Sequence, residues 1–320
     1  MLDKKDRKLI SLLDMHGRMQ ASEAAKKTGI SKQSVSYRIE RLKERNLVNG
    51  YYAVINPHKL GLMFVRFLIT LKDTDLQIEN EIINYGKKQS QIGWIISTEG
   101  KWDLVFVLLC RDLYEIKNSV NDFIFKYGKF VAHYEVTIAT SIYHFPHKYI
   151  QDSKETGTML LAGKFENHSL DALDKNILMK LSNDARLSLT ELARSLKTSY
   201  KVVGYRLKKL EDSGIILGYR ASINTNVLGK THYKVFMEMQ NLTEIKLQEL
   251  RNFMQNYSAI IYITEAIGFA DIEFEAILDS HLQFNEMMKE IRGKFSEIIR
   301  DYEVLILSKI HSLTYLPKEI

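Results

Sequence analysis

Shifted by 168 positions, the chain matches itself along most of its length. Leu2-Asp3 falls on Leu170-Asp171, Arg18 on Arg186, Ser31 on Ser199, Tyr37-Arg38 on Tyr205-Arg206 and Gly50-Tyr51 on Gly218-Tyr219. Further along, Leu60-Gly61 falls on Leu228-Gly229, Gly100 on Gly268, Asp103 on Asp271, and Tyr134-Glu135-Val136 on Tyr302-Glu303-Val304. The register never slips, so one folding unit is written twice. Two tandem copies exclude a solenoid, which needs roughly three or more stacked repeats. The stretch 151–169, with Ser, Thr and Gly but no clear period, reads as the linker between them.

Each copy changes its period part-way. Leu9, Leu12 and Leu13 after Asp3, and Leu173, Ile177, Leu178 and Leu181 after Asp171, predict opening helices with aspartate caps. Ser188-Leu189-Thr190-Glu191 has the form of a capping box for a second helix. Thr28-Gly29-Ile30-Ser31 then predicts a tight turn, with Gly29 at positive φ and Ser31 capping a third helix from Lys32 to Arg45. Lys197 stands where Gly29 does, at a cost if the backbone there is left-handed. Downstream, Val65 to Leu71, Ile92 to Ile96, Leu104 to Leu109 and Val131 to Ile138 read as strands, broken by helices over Leu76 to Lys87 and Leu113 to Lys126. The expected fold class is α+β: two tandem units, each a winged helix-turn-helix followed by a ferredoxin-like βαββαβ domain. The divisions are 1–61 and 170–229 for the helix-turn-helix domains, 62–150 and 230–320 for the sheet domains, and 151–169 for the linker.

Charge separates the two kinds of domain. Residues 1–50 hold twelve Lys/Arg against six Asp/Glu and residues 170–218 nine against six, whereas the whole chain is only +6. Two basic heads on slightly acidic bodies suit a polyphosphate partner. The single cysteine, Cys110, lies in an apolar run and reads as buried packing in a reducing cytosol. With a charged N-terminus and no apolar run near the roughly 20 residues of a membrane span, the chain is expected to be cytoplasmic, with no membrane partner.

On the third helix Lys32, Gln33, Ser36, Tyr37 and Arg41 take accessible positions while Val35, Ile39 and Leu42 form a core-facing stripe. Gln pairs with adenine and Lys or Arg with guanine in a major groove of double-stranded DNA; Ser31, Tyr37, Arg38 and Lys43 suit phosphates. The second copy offers Ser199, Tyr200, Lys201, Tyr205, Arg206, Lys208 and Lys209, but Val202-Val203-Gly204 weakens its helix and leaves fewer base-reading groups.

Leu2-Asp3-x-x-Asp6, Gly17-Arg18, the Ser31 turn, Tyr37-Arg38-x-x-x-Leu42, Gly50-Tyr51-x-Ala53-x-Ile55-Asn56 and Leu60-Gly61 together resemble the Lrp/AsnC regulators, and the second copy matches as well. The family's Gly-x-x-Asp hallmark stands as Gly100-Lys101-Trp102-Asp103 and Gly268-Phe269-Ala270-Asp271. The resemblance implies a transcriptional regulator in which the two sheet halves pack as a pseudo-dimer, with further homo-oligomers. It also implies an amino-acid-like effector near Gly100, Trp102, Asp103, Gly268 and Asp271. Ala270 in place of Trp102 means that two such sites would not bind one ligand equally. The alternative for the aspartates is to cap their own turns.

Two other classes share parts of this pattern. Siroheme decarboxylases resemble the same tandem architecture but use a His and Arg cluster beside the strand before Gly-x-x-Asp. Here 92–99 and 260–265 contain neither residue. A scaffold that has lost DNA reading is the remaining alternative, kept alive by Gly204. No cofactor or metal is expected, and the chain is not expected to be an enzyme. The nearest metal-like spacing, His144-x-x-His147 around Pro146, reads as an exposed irregular connection.

Overall fold

The computed structural model describes residues 2–151 and 157–318. The first copy runs α1 (Lys4–Met15), α2 (Ala21–Thr28), α3 (Lys32–Glu44), β1 (Val48–Ile55), β2 (Met63–Leu71), α4 (Leu76–Lys88), β3 (Ile92–Glu99), β4 (Leu104–Cys110), α5 (Leu113–Tyr127) and β5 (Val131–His144). A short strand, β6 (Met159–Ala162), follows. The second copy repeats the order as α6 (Ala172–Asn183), α7 (Leu189–Ser195), α8 (Tyr200–Asp212), β7 (Ile216–Ile223), β8 (Thr231–Met239), α9 (Glu244–Asn256), β9 (Ile260–Ile267), β10 (Ile272–Leu278), α10 (His281–Phe295) and β11 (Ile299–Ser312). The stretch read as a linker therefore contributes a strand of its own, from the apolar run Met159-Leu160-Leu161-Ala162; its residues 152–156 lie outside the described residues.

The chain divides into two units, and they do not follow the two copies. One gathers Met1–Asn56, His144–Met159 and Ser169–Lys230; the other gathers Pro57–Tyr143, Leu160–His168 and Thr231–Ile320. Like domains thus pair with like.

In the first unit each copy supplies three helices and a single strand. Among the described residues β1 has no strand partner in its own copy; it pairs antiparallel with β7, from Val48 opposite Ile223 to Ile55 opposite Ile216. Val48 is equivalent to Ile216 and Ile55 to Ile223, so the pairing is symmetric about a local two-fold axis. α1 packs on β7 and α6 on β1. The core of the first head, built on Leu9, Ile10, Leu13, Val35, Ile39 and Leu42, accordingly includes Ala185 and Ala221 from the second copy.

In the second unit nine strands run in the order β2-β4-β3-β11-β8-β10-β9-β5-β6, and an additional β2–β5 pairing closes the sheet on itself. Two 14-residue strands, β5 and β11, make this possible. β11 pairs with β8 of its own copy over 299–306 and with β3 of the other copy over 306–312. The sequence reading ended β5 at Ile138; the strand runs on to His144 because its distal part lies beside the other copy's β9. On β2 the alternation sends Val65, Phe67 and Ile69 into the core beneath α4 and α5, with Ile82, Phe106, Phe123 and the buried Cys110.

Candidate nucleic-acid interface

The two recognition helices begin alike. Gly29 is left-handed at φ 70°, and Lys197 adopts the same conformation at φ 53°, the strained choice that the sequence foreshadowed. Ser31 accepts from the Ser34 N–H at 3.1 Å and Ser199 from the Val202 N–H at 3.2 Å, so both helices are capped. Val35, Ile39 and Leu42, and likewise Val203, Leu207 and Leu210, face inward. Ser31, Lys32, Gln33, Ser36 and Tyr37 in one head, and Ser199, Tyr200, Lys201 and Tyr205 in the other, are exposed. Tyr37 and Tyr205 stand 67% and 70% clear of the protein.

The arginines behave differently. Arg38, expected at a phosphate, donates to Asp3 at 2.7 Å and to Asp6 at 2.5 Å, and Arg41, expected to be accessible, donates to Asp6 at 2.6 Å. Asp6 is fully buried, and a buried carboxylate without such partners would be costly. The Asp6 N–H, and after it Arg38, holds the Asp3 carboxyl below its ordinary value. In the second head Arg206 lies 2.7 Å from Asp171 and 3.1 Å from Asp174, while Lys209, exposed, stands where Arg41 does. These arginines bolt α3 to α1 and α8 to α6. From sequence, Asp3 and Asp171 read as N-caps and Asp6 and Asp174 as first-turn acids at the positive end of the helix dipole; the missed signal was two acids and two arginines whose burial demands mutual pairing. Arg7 is likewise committed to the Ile150 carbonyl at 3.2 Å and Arg18 to the Ala185 carbonyl at 2.5 Å, so part of the basic excess is structural.

A second clasp holds the heads together across the copies. The Gly17 N–H donates to the Tyr219 carbonyl at 2.7 Å and the Ala185 N–H to the Tyr51 carbonyl at 2.8 Å, which are equivalent bonds. One element breaks the symmetry. Buried Arg220 donates to Asp14 at 2.6 Å and to the Phe145 carbonyl at 3.1 Å, and His147 lies 3.1 Å from the same carboxylate. The equivalents of Asp14 and Arg220 are Ser182 and Tyr52. His144 and His147 are thus buried rather than exposed, because the segment after β5 folds back over Asp14.

In the other unit, the Gly-x-x-Asp turns are clamps. Asp103 accepts from the Leu71 N–H at 2.7 Å and Asp271 from the Met239 N–H at 2.7 Å. A Cβ at Gly100 would lie 2.8 Å from Leu305, and one at Gly268 would lie 2.8 Å from Thr137. Leu305 and Thr137 are themselves equivalent, so each turn sits against the last strand of the other copy. Trp102, expected to face an effector, is fully buried, stacked on His133 and 5.8 Å from Phe269 of the opposite turn. Lys101 lies over both rings and reaches Glu303 at 3.0 Å.

The sequence reading missed a buried charge cluster on the sheet face turned away from the helices. Arg66 donates to Glu273; Lys234, the equivalent of Arg66, lies 2.9 Å from Glu273 and 3.2 Å from Glu275, which His232 contacts at 2.9 Å. The first copy has Val105 and Val107 where the second has the two glutamates. Burial pushes Glu273 up, but Arg66 and Lys234 outweigh it and hold the carboxyl low. Among the described residues no helix is long and apolar enough to cross a membrane, and no cluster of three or more His, Cys, Asp or Glu is placed to hold a metal ion.

Capped recognition helices with exposed polar and aromatic tips in one unit, and a closed sheet of ferredoxin-like halves in the other, define a winged helix-turn-helix regulator. Residues 2–43 match the AsnC-type helix-turn-helix domain, and residues 170–216 match the winged helix-turn-helix DNA-binding family. Over 114 residues the chain is 31% identical to an HTH-type transcriptional regulator of Methanocaldococcus jannaschii, a match covering 35% of this chain and 75% of that protein. It is 28% identical over 131 residues to the HTH-type transcriptional regulator LrpA of Pyrococcus horikoshii, covering 40% of this chain and 88% of that one. The solved structure of the siroheme decarboxylase NirDL shares the two-copy fold at 13% identity and a TM-score of 0.63, over 98% of this chain and 94% of its own. The chain belongs to the Lrp/AsnC family of DNA-binding transcriptional regulators, in tandem form.

Proposed function

We propose that the two heads read two unlike half-sites of a single operator in double-stranded DNA. The observation that carries this reading is the symmetric β1–β7 pairing of the heads, which sets α3 and α8 as two reading elements about one local axis. Gln33 and Lys32 act at base edges in the first head and Lys201 in the second. Ser31, Ser36, Tyr37, Ser199, Tyr200 and Tyr205 hold phosphates or pack on sugars, and Arg38, Arg41 and Arg206 orient the helices from behind. An amino-acid-like effector is assigned to the Gly100 and Gly268 turns. A ligand there acts by favouring one packing of the sheet halves, and Trp102 against Ala270 makes the two turns unequal. Further homo-oligomers follow on the same reading.

Capture of genomic fragments by the full chain at about 0.15 M salt with competitor DNA is the test, since non-specific phosphate binding is weak there. A discrete set of upstream regions is expected, altered separately by Gln33→Ala and Lys201→Ala. Recovery at background would overturn the reading. The likeness of fold to NirDL supports a tetrapyrrole reading less well, since Arg66 and His232 are engaged with glutamates. A saturable Soret-band shift on titration with an iron tetrapyrrole would overturn the purely regulatory assignment.

A further inference from the structure

Between α4, α5 and the helix-side face of the first copy's sheet lies a cavity of about 260 Å³. Its floor is Phe67, Phe106, Leu108 and Phe123, and its rim carries Glu115 and Asp122 with no Lys or Arg among the described residues that line it. Gln89 and Ser90, at the C-terminal end of α4, complete the rim; the Lys318 ammonium already caps the Lys87 carbonyl of that last turn, so the carboxylates alone supply the negative charge. Glu115 is already held by the Arg111 N–H at 2.7 Å and by its guanidinium at 3.3 Å, which leaves Asp122 as the carboxylate facing an occupant. The nearby Lys126 lies over the Tyr85 and Tyr127 rings at 5.0 and 5.1 Å.

The duplication supplies an internal comparison. Met287, fully buried, stands in the second copy where Ser119 lines the cavity, and Tyr257 stands where Gln89 does. The same fold therefore accepts a buried methionine and a tyrosine at positions where the first copy has the smaller polar Ser119 and Gln89 beside an aromatic floor.

We infer that this cavity is a ligand site, distinct from the Gly-x-x-Asp turns, for a small primary ammonium ion with an aromatic body and no carboxylate. An apolar cavity of about 150 Å³ accommodates benzene, so this one has room for a phenyl ring and a short amine arm. The two rim carboxylates, with no Lys or Arg among the described lining residues, attract an ammonium group and repel the carboxylate of an amino acid.

Calorimetric titration of the full chain with 2-phenylethylamine tests the assignment, with phenylacetate and phenylalanine as the comparison ligands. One saturable site per chain is expected, with the two carboxylates at least about tenfold weaker and Asp122→Asn weakening the amine by about tenfold. Ser119→Met, which grafts the second copy's own residue, is expected to abolish binding while preserving the far-ultraviolet spectrum. Absence of saturable binding at millimolar amine would overturn the inference, as would undiminished binding to Ser119→Met or equal binding of phenylacetate. Should Ser119→Met fail to fold, Asp122→Asn, an exposed change, decides: wild-type affinity there overturns the assignment.

Discussion

Arg18 donates to the carbonyl of Ala185 at 2.5 Å, and Arg186, its equivalent in the other copy, donates to the carbonyl of Gly17 at 2.8 Å. Each guanidinium also covers the other copy's tyrosine, Arg18 at 5.2 Å from the Tyr219 ring centroid and Arg186 at 3.9 Å from that of Tyr51. This reciprocal clasp fastens the two heads at the same place where β1 and β7 pair.

Arg186→Ala should therefore weaken the union of the heads by about 1–3 kcal/mol, combining a lost charged hydrogen bond with a lost cation–π contact. Arg18→Ala should cost less, because its ring contact is longer. Urea unfolding followed at the heads measures both; an unchanged midpoint for Arg186→Ala would show that the clasp is not energetically significant.

Asp6 secures two arginines and Asp174 only one, which predicts unequal heads. Asp6→Ala should destabilise by about 3–5 kcal/mol, the scale for breaking a buried pair, and Asp174→Ala by less. Paired thermal melts of the two variants check the order. The reverse order would mean that Arg41 adds nothing.

Gly100 and Gly268 lie at φ +136° and +153°, against the other copy's last strand. At Gly268 a Cβ meets the Thr137 Cβ at 2.8 Å and its backbone Cα at 2.9 Å, neither of which can swing aside; at Gly100 the closest atom is the tip of Leu305, with the Val304 carbonyl next at 3.0 Å. Gly268→Ala should accordingly cost more than Gly100→Ala, roughly 2–4 against 1–3 kcal/mol. Equal melting temperatures for the two would contradict the close approach.

Burial acts to raise Glu275, but Lys234 and His232 outweigh it and bring its carboxyl from an ordinary 4.5 to about 2. Because the folded value is the lower one, the stabilisation is present above pH 4.5 and is lost as pH falls towards 2. Glu275→Gln should flatten the stability profile in that window and leave its slope near neutrality unchanged. Parallel acid melts of the two proteins distinguish this from a loss that persists at all pH values.

On DNA, Lys43→Ala should reduce the slope of log affinity against log salt by about one, whereas Gln33→Ala should leave the slope and cost about 1–3 kcal/mol at a single base position. Salt-dependent anisotropy with a captured operator separates the two. Identical effects from both variants would remove the distinction between positioning and reading.

Much of this molecule is written locally. Ser31 caps α3, Val35, Ile39 and Leu42 turn inward, and Lys32, Gln33, Ser36 and Tyr37 are left outside, because caps and a helical period act over a few residues and survive in any context. The duplication, the βαββαβ order and the strained Lys197 turn follow from the same short-range chemistry. What the tertiary structure decided are the contacts whose partners lie far apart along the chain. Arg38 and Arg41 find Asp6, β1 finds β7 in the other copy, β11 outruns its own sheet to reach β3, and Arg66 meets Glu273. No periodicity encodes these choices: a charged side chain or a strand edge specifies the kind of partner it needs, and the packing of two unlike copies determines which one it meets.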